Sequence, residues 1–157
     1  GTNSSSLLPD GGLGSRRARA AIERQETDGS IWLTGSHEGY LAKFGLRHSR
    51  RLYMPASGDD LRGEDHLSGP SGHDFAIRFH LHPRLSVSLL HNQASALLKL
   101  PGGAGWRLRV HGADMALEDS VYCGEGGEMK RSQQIVLSGR VEGEEATVKW
   151  GFHREKK

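Results

Sequence analysis

The segment DFAIRFHLH, residues 74–82, decides the fold class, because apolar and other residues alternate along it without a break. A period of two places successive side chains on opposite faces of an extended strand, so that one face meets a core and the other is wetter. The same alternation recurs in GWRLRVHG (105–112) and ATVKWGFHRE (146–155). These three segments predict strands that are each buried on one face. In the first, one face carries Phe75, Ile77, Phe79 and Leu81, and the other carries Ala76, Arg78, His80 and His82.

Glycine punctuates the rest of the chain and divides it into segments of strand length. The 22 glycines follow no fixed period, and no segment carries a sustained apolar stripe at helical spacing. We therefore predict an antiparallel all-β fold, a β-sandwich of two packed sheets with about 10–12 strands and little or no helix. The chain is predicted to form one domain over 1–157, with 1–15 loosely ordered. Further strands are predicted at 16–26, 30–36, 45–53, 60–67, 84–90, 94–100, 115–122 and 132–137.

Composition argues against two classes of partner. Lysine and arginine number 21 against 19 aspartate and glutamate, and this net charge of +2 does not favour nucleic acid. No apolar run approaches the roughly 20 residues that span a bilayer, so no membrane partner is predicted. The single cysteine, Cys123, excludes an internal disulfide and leaves the compartment undetermined. We expect Cys123 to be a partly buried structural residue near a strand end.

Nine histidines raise the possibility of a metal-dependent enzyme. His80 and His82 lie two residues apart, hence on the same face of one strand, as paired histidines do in some zinc sites. His48 and Asp65 could complete such a site if their strands are neighbours. The alternative interpretation is that the histidines belong to the solvated face of an alternating strand.

Arginines and tryptophans offer a second kind of site. Arg78 and Arg107 fall on the polar faces of predicted strands, where a planar guanidinium suits bidentate capture of a uronate carboxylate or a sulfate. Exposed strand arginines also serve as ordinary cross-strand partners. Trp32, Trp106 and Trp150 could stack on sugars in a free-standing carbohydrate-binding or interaction module, although their apolar neighbours favour core positions.

A family resemblance emerges when the longer segments are taken together. The chain resembles the C-terminal β-rich region of bacterial heparinase II/III family proteins, with matches spread from Thr2 to Glu155. It differs at Glu38, where the family often has aspartate, and at His66, where arginine is usual. The matching segments are GSHEGYLAKFGLRHSRRLYMPASGDDLRGEDHLSG, FAIRFHLHP, GWRLRV, LEDSVYCGEGG, RSQQIVLSG and TVKWGFHRE.

The resemblance implies a division of labour between two domains. Members pair an N-terminal α/α toroid with a C-terminal β-sandwich and cleave uronate-containing polysaccharides by β-elimination. A base removes the C5 proton, the carboxylate charge is neutralised, and the 4-O leaving group receives a proton. The family's tyrosine acid/base belongs to the toroid, and a further catalytic histidine precedes the segment that matches Thr2 to Ser5. We therefore expect no catalytic residue here, an upstream toroid domain as partner, and no activity of this chain alone.

Two kinds of site residue follow from the same resemblance. Some members bind zinc in the β domain through His and Asp side chains, and His37 matches one such ligand, with Asp10 as a second; the third falls before Gly1. The resemblance also implies an anionic polysaccharide or oligosaccharide as substrate. Tyr40, Arg78 and Arg107 are the residues that we predict to reach it.

Overall fold

The computed structural model describes residues 14, 18–90, 94–124 and 128–155, and these residues form eleven strands and one short helix. The prediction of an antiparallel all-β fold of two packed sheets is confirmed. The helix α1 spans Leu41–Phe44. The strands are β1 (Ala20–Thr27), β2 (Ser30–His37), β3 (Arg47–Met54), β4 (Asp60–Ser68), β5 (Asp74–His80), β6 (Ser86–Leu89), β7 (Ser95–Lys99), β8 (Gly105–His111), β9 (Asp114–Cys123), β10 (Met129–Arg140) and β11 (Glu145–Arg154).

The strands form two sheets of unequal width. The large sheet has eight strands in the order β1-β2-β3-β4-β11-β8-β7-β6, and the small sheet has three in the order β5-β10-β9. All neighbouring strands are antiparallel. The chain leaves the large sheet after β4 and again after β8, so strands distant in sequence become neighbours, as β4 and β11 do.

The core lies between the small sheet and the strands β4, β11, β8 and β7 of the large one. Trp150 on β11 is 6% exposed, and the ring of Phe79 on β5 meets it edge-on at a centroid distance of 4.9 Å. The Trp150 ring lies over Gly63 on β4, where a Cβ would be 2.1 Å from the ring. Each fully buried apolar side chain contributes about 1.5–3 kcal/mol through its removal from water. The other members of this core include Ala96, Leu98, Leu108, Met115, Ile135, Leu137 and Val148.

The small sheet is too narrow to cover the whole inner face of the large one. Every residue of β1 is exposed, and Ile22, which shares its face with the inner residue Gly35, is 73% exposed. Met54 on β3 is 39% exposed. Ile31 and Leu33, on the inner face of β2, belong to neither of the described core clusters. The histidines considered below lie at the border between the covered and the uncovered part.

The connection between β2 and β3 contains α1, which Gly45 ends with a left-handed φ of 69°. One local prediction needs correction. Cys123 does lie at a strand end, but it is exposed rather than partly buried, because the small sheet has no described layer over that end. In the described part of the chain, no helix has the length and apolar character to cross a membrane.

Candidate functional site

Two histidines from neighbouring strands meet on the inner face of the large sheet. His37 on β2 and His48 on β3 are directly paired in the antiparallel register, so their side chains leave the sheet on the same face. Nε2 of His37 lies 3.0 Å from Nδ1 of His48, and Nε2 of His48 lies 2.7 Å from Oδ1 of Asp65 on β4. The three side chains form a continuous hydrogen-bonded chain across three strands.

The hydrogen bonds of this chain run in one direction. The backbone N–H of Gly39 donates to Nδ1 of His37 over 3.2 Å, so that this nitrogen is an acceptor. A neutral imidazole then carries its proton on Nε2, and His37 donates it to Nδ1 of His48. His48 in turn carries its proton on Nε2 and donates to Asp65. The geometry thus selects the neutral Nε2–H tautomer for both histidines.

Asp65 ends the chain as a buried carboxylate with four donors. The residue is 2% exposed, and it accepts from Arg50 through Nε at 2.7 Å and Nη2 at 3.1 Å, in addition to His48. The indole N–H of Trp150 donates to its Oδ2 over 2.8 Å. Burial alone would raise the pKa of Asp65, but these hydrogen bonds and the charge of Arg50 outweigh burial and hold that pKa below its usual value. Asp65 is therefore an anion that orients its neighbours.

His37 faces the partly open end of the site. Burial lowers the pKa of His37, and the neighbouring His48 lowers it further, so the imidazole is held neutral. Tyr40, which caps the N-terminus of α1, places its ring edge-on to His37 at a centroid distance of 4.9 Å. The short helix between β2 and β3 thereby brings a phenol beside the histidine pair.

A groove of about 540 Å³ runs from this site to the free edge of the small sheet. It separates β5, the edge strand, from the inner face of β3 and β4. Its polar lining combines a phenol, imidazoles, guanidinium groups and two carboxylates, and the first three kinds of group can donate hydrogen bonds to a ligand. These residues are Tyr40, His48, Arg50, Asp65, His73, Asp74, Arg78 and His80.

The predicted substrate-binding residues do not converge. Arg78 lies at the groove, with Nη1 3.0 Å from Glu118 Oε2. Arg107 is on the opposite, outer face of the large sheet, where its Nε pairs with Glu155. The hydrogen bond from Arg107 is the main reason that the pKa of Glu155 is lowered. Only Tyr40 and Arg78 therefore remain near one groove, and their contact with a substrate stays a prediction.

The four-residue metal site on His48, Asp65, His80 and His82 is wrong for the described residues. His48 and Asp65 are in contact, but His80 bonds to Ser120 Oγ at 2.9 Å on the small sheet. His82 packs on Tyr122 and accepts from the backbone N–H of Arg84. The alternation places His80 away from the core, as expected, and this turns it away from Asp65. Across the ranges described above, no group of three or more His, Cys, Asp or Glu side chains is arranged to hold a metal ion.

The zinc prediction for His37 and Asp10 stays a prediction, since Asp10 lies outside the described residues. Within the described residues the arrangement does not fit a zinc ligand set, because both ring nitrogens of His37 are already engaged in hydrogen bonds, with Gly39 and His48. A metal ligand needs a free nitrogen lone pair directed at the ion.

The structure also revises the predicted position of one tryptophan, Trp32, and adds one cation to the site. Trp150 is a core residue, as predicted, and Trp106 packs against the core, whereas Trp32 is 42% exposed on the outer face. Arg50 was not singled out in the sequence, although it holds Asp65 through two bonds. The available signal was its two-residue spacing from His48, which places both side chains on one face of β3.

Comparison with known proteins identifies the family. The sequence profile described as "Heparinase II/III-like, C-terminal" matches residues 1–151. This chain belongs to the heparinase II/III-like family. The match covers the sandwich up to the middle of β11, and it confirms the resemblance that the sequence segments indicated.

Individual relatives fall into two groups. A curated relative, FtsZ-localized protein C of Caulobacter vibrioides, is 35% identical over 145 residues, which cover 85% of this chain and 25% of that protein. Heparan sulfate lyase HepC from Pedobacter heparinus shares the fold with a TM-score of 0.75 at 10% identity, over 90% of this chain and 22% of that one. The heparinase III BT4657 gene product shares the fold with a TM-score of 0.75 at 13% identity, over 99% of this chain and 24% of that one. The chain thus spans about a quarter of the length of these relatives.

Proposed function

We propose that this chain is the C-terminal β domain of a polysaccharide lyase that cleaves uronate-containing glycans by β-elimination. In this role it packs against a helical toroid domain upstream in the same protein and forms one wall of the saccharide cleft. The family match over residues 1–151 is the observation that carries the proposal. The shared fold with a heparan sulfate lyase and a heparinase III gene product supports it.

The uncovered inner face of β1–β3 provides a surface for the helical domain. Ile22 and Met54 expose 73% and 39% of their surface there, and Leu33 on β2 lies on the same face and is only partly buried. Burial of apolar surface contributes about 25 cal/mol per Å², so a toroid docked over these side chains would be held by the hydrophobic effect. The docked domain would meet the sheet beside the histidine chain.

The histidine chain shapes the cleft wall rather than performing the proton transfer. The ring nitrogens of His37 are both engaged, and the guanidinium of Arg50 is held by Asp65. A general base needs a lone pair within hydrogen-bond reach of the substrate proton, and neither group offers one. What remains available at the groove is the Tyr40 phenol and the exposed part of Arg50. We propose that these contact the uronate while the toroid supplies the chemistry.

The test compares the full-length protein with this chain alone. Both are incubated with heparan sulfate, alginate and related uronates, and the absorbance of the unsaturated product is followed. We expect turnover by the full-length protein and none by this chain. Turnover by the chain alone would disprove the division of labour.

A docking variant sharpens that test. Ile22→Glu in the full-length protein places a charge on the proposed domain interface and should abolish most of the turnover. Val121→Glu is the matched control, since Val121 is also an exposed apolar strand residue, at 56%, on the small sheet. Equal turnover of the two variants would argue against docking through β1.

A second candidate function rests on the curated relative. FtsZ-localized protein C is 35% identical to this chain, against 10–13% for the two lyases. We therefore keep the alternative that the domain serves a protein that localises with FtsZ and acts as an interaction module without lyase activity. Absence of turnover on every uronate, together with mid-cell localisation of a fluorescent full-length fusion, would favour this alternative.

A further inference from the structure

A row of in-register residues crosses the outer face of the large sheet, opposite the histidine chain. Trp32 pairs with Tyr53, Tyr53 with Arg62, Arg62 with Gly151, and Gly151 with Arg109. Directly paired residues of neighbouring strands project from the same face. With strands 4.7–4.9 Å apart, the row is about 19 Å long. That is a suitable length for a short oligosaccharide lying across the strands.

The row begins with two aromatic rings in contact. The ring centroids of Trp32 and Tyr53 are 4.2 Å apart at an interplanar angle of 37°, and the Arg62 guanidinium lies 5.8 Å from the Tyr53 centroid. Trp32 is 42% exposed, whereas Tyr53 is half-buried and Trp150 lies in the core. The exposed Trp32 ring, with Tyr53 beside it, offers an apolar surface to the C–H face of a sugar ring.

The fourth of the five positions in the row is a strand glycine, Gly151, at which a side chain would have room. At Gly63 and Gly139 a Cβ would lie 2.1 Å and 2.6 Å from the rings of Trp150 and Phe75, so these positions need glycine. At Gly151 a Cβ would have only ordinary contacts of 3.8 Å, and its φ is not positive. Glycine inside a strand often marks a place where a ligand approaches the backbone closely. Gly151 lines a shallow outer groove of about 840 Å³.

The groove is rich in cations. Arg62 is balanced by Asp60 at 2.7 Å, and Lys149 lies 3.6 Å from Glu64. Two more arginines, Arg51 and Arg109, line it as well, and within the described ranges neither forms an ion pair with a carboxylate. Four cations therefore face two anions, and two imidazoles, those of His111 and His153, also line the groove. The charge of Arg109 acts on Glu155 at longer range. Its guanidinium has no carboxylate within ion-pair distance, however, and is suited to bind a carboxylate or sulfate of a ligand in a bidentate manner.

We propose that this outer groove is a second saccharide-binding site, which holds an acidic oligosaccharide with uronate or sulfate groups. One sugar ring stacks on Trp32 and Tyr53, the chain passes over Gly151, and an anionic group meets Arg109. The site goes beyond the proposed cleft role, because it lies on the opposite face of the large sheet from His37 and shares no residue with the groove there. It would anchor a polymer outside the cleft.

The test is a binding titration of this chain. Size-defined heparin and alginate oligosaccharides are titrated by calorimetry and tryptophan fluorescence, with neutral dextran as the uncharged control. We expect binding of the acidic sugars, with a fluorescence change from Trp32, and no binding of dextran. Equal or tighter binding of single-stranded DNA would overturn the assignment to a saccharide, since cations and aromatic rings also hold nucleic acids.

Three variants test the location. Trp32→Ala, Arg109→Ala and Gly151→Leu should each weaken binding by about tenfold or more, the loss expected when a charged hydrogen bond or stacking contact is removed. Gly102→Leu and Arg24→Ala are the matched controls, because a Cβ at Gly102 would have no neighbour within 4 Å and Arg24 is exposed on β1. Unchanged affinity of Arg109→Ala and Trp32→Ala would overturn the proposal, even if Gly151→Leu fails to fold. So would a loss of binding in Tyr40→Ala alone, which would place the sugar in the inner groove.

The two proposals can fail separately. The cleft role is judged by lyase turnover of the full-length protein and by Ile22→Glu, whereas the outer site is judged by binding to this chain. Binding without turnover would leave the outer site standing and disprove the lyase proposal.

Discussion

The indole N–H of Trp150 donates a 2.8 Å hydrogen bond to Oδ2 of Asp65, and this bond joins the polar site to the apolar core. The ring that packs on Phe79 therefore also fixes the carboxylate that orients His48 and Arg50. A substitution of either residue should therefore change both the stability of the domain and the geometry of the site.

Asp65→Asn should lower the free energy of unfolding by about 2–3 kcal/mol, because it leaves Arg50 without its charge partner and turns an amide N–H₂ toward donors. Urea unfolding followed by tryptophan fluorescence measures the loss. Asp74→Asn is the control, since Asp74 is 77% exposed in its pair with Arg140 and should change stability by less than about 0.5 kcal/mol. Losses of equal size would contradict a special role for Asp65.

Gly63→Ala should be destabilising by about 1–3 kcal/mol or more, because its Cβ would collide with the Trp150 ring at 2.1 Å. Gly151→Ala, on the neighbouring strand, should stay within about 0.5 kcal/mol, because its Cβ has room. Thermal unfolding of the two variants side by side measures the contrast. If both variants lost stability to the same extent, the packing of Trp150 over Gly63 would be incorrect.

In their neutral forms His37 and His48 should both be Nε2–H tautomers, because the N–H of Gly39 makes Nδ1 of His37 an acceptor. Long-range ¹H–¹⁵N spectra of the imidazoles distinguish the two tautomers directly. Exposed histidines such as His111 provide the internal reference. A proton on Nδ1 of either residue would rule out the one-directional chain.

Stability should fall between pH 7 and 5 because of His37. The pKa of His37 in the folded state lies below the ordinary 6.5. As the pH drops below 6.5, the unfolded state therefore binds a proton that the folded state does not yet bind, and this favours unfolding. The loss ends once the pH reaches the lowered folded pKa. His37→Gln should flatten this part of the curve, and His111→Gln should not. A wild-type slope that survives in His37→Gln would show that another group is responsible.

The contribution of Asp65 to stability should be lost at more acid pH. Its folded pKa is below the ordinary 3.8, so its contribution is complete above that value and is lost as the pH falls from 3.8 through the folded pKa. The free energy of unfolding of Asp65→Asn should therefore change less than that of the wild type across this range. Acid titrations monitored by fluorescence provide the comparison.

The alternation in DFAIRFHLH was sufficient to predict the class of fold. Phe75, Ile77 and Phe79 do face the core, and the eleven strands fall within the predicted number. Strand alternation reports which residues share a face, and glycine spacing reports where strands end. Both properties are local, so they can be read from one sequence.

The site could not be predicted in the same way, because it depends on which strands are neighbours. Trp150 and Asp65 are 85 residues apart in the chain and meet only because β11 pairs with β4. Trp32 shows a second limit of prediction from alternation. It lies in an apolar run, between Ile31 and Leu33, where alternation does not reveal that these two neighbours take the inner face and leave the tryptophan outside.

The unequal widths of the two sheets also affect how the domain unfolds. Where the small sheet lies over β4, β11 and β8, opening a strand exposes a core, but β1 is exposed along its whole length and no residue of β2 is fully buried. Amide hydrogens in this β1–β2 wing should exchange with deuterium long before those of β10 and β11, since the wing can open without disturbing the core. Without a docking partner, β1 and β2 should thus unfold independently of the two-layer part of the domain, which unfolds cooperatively.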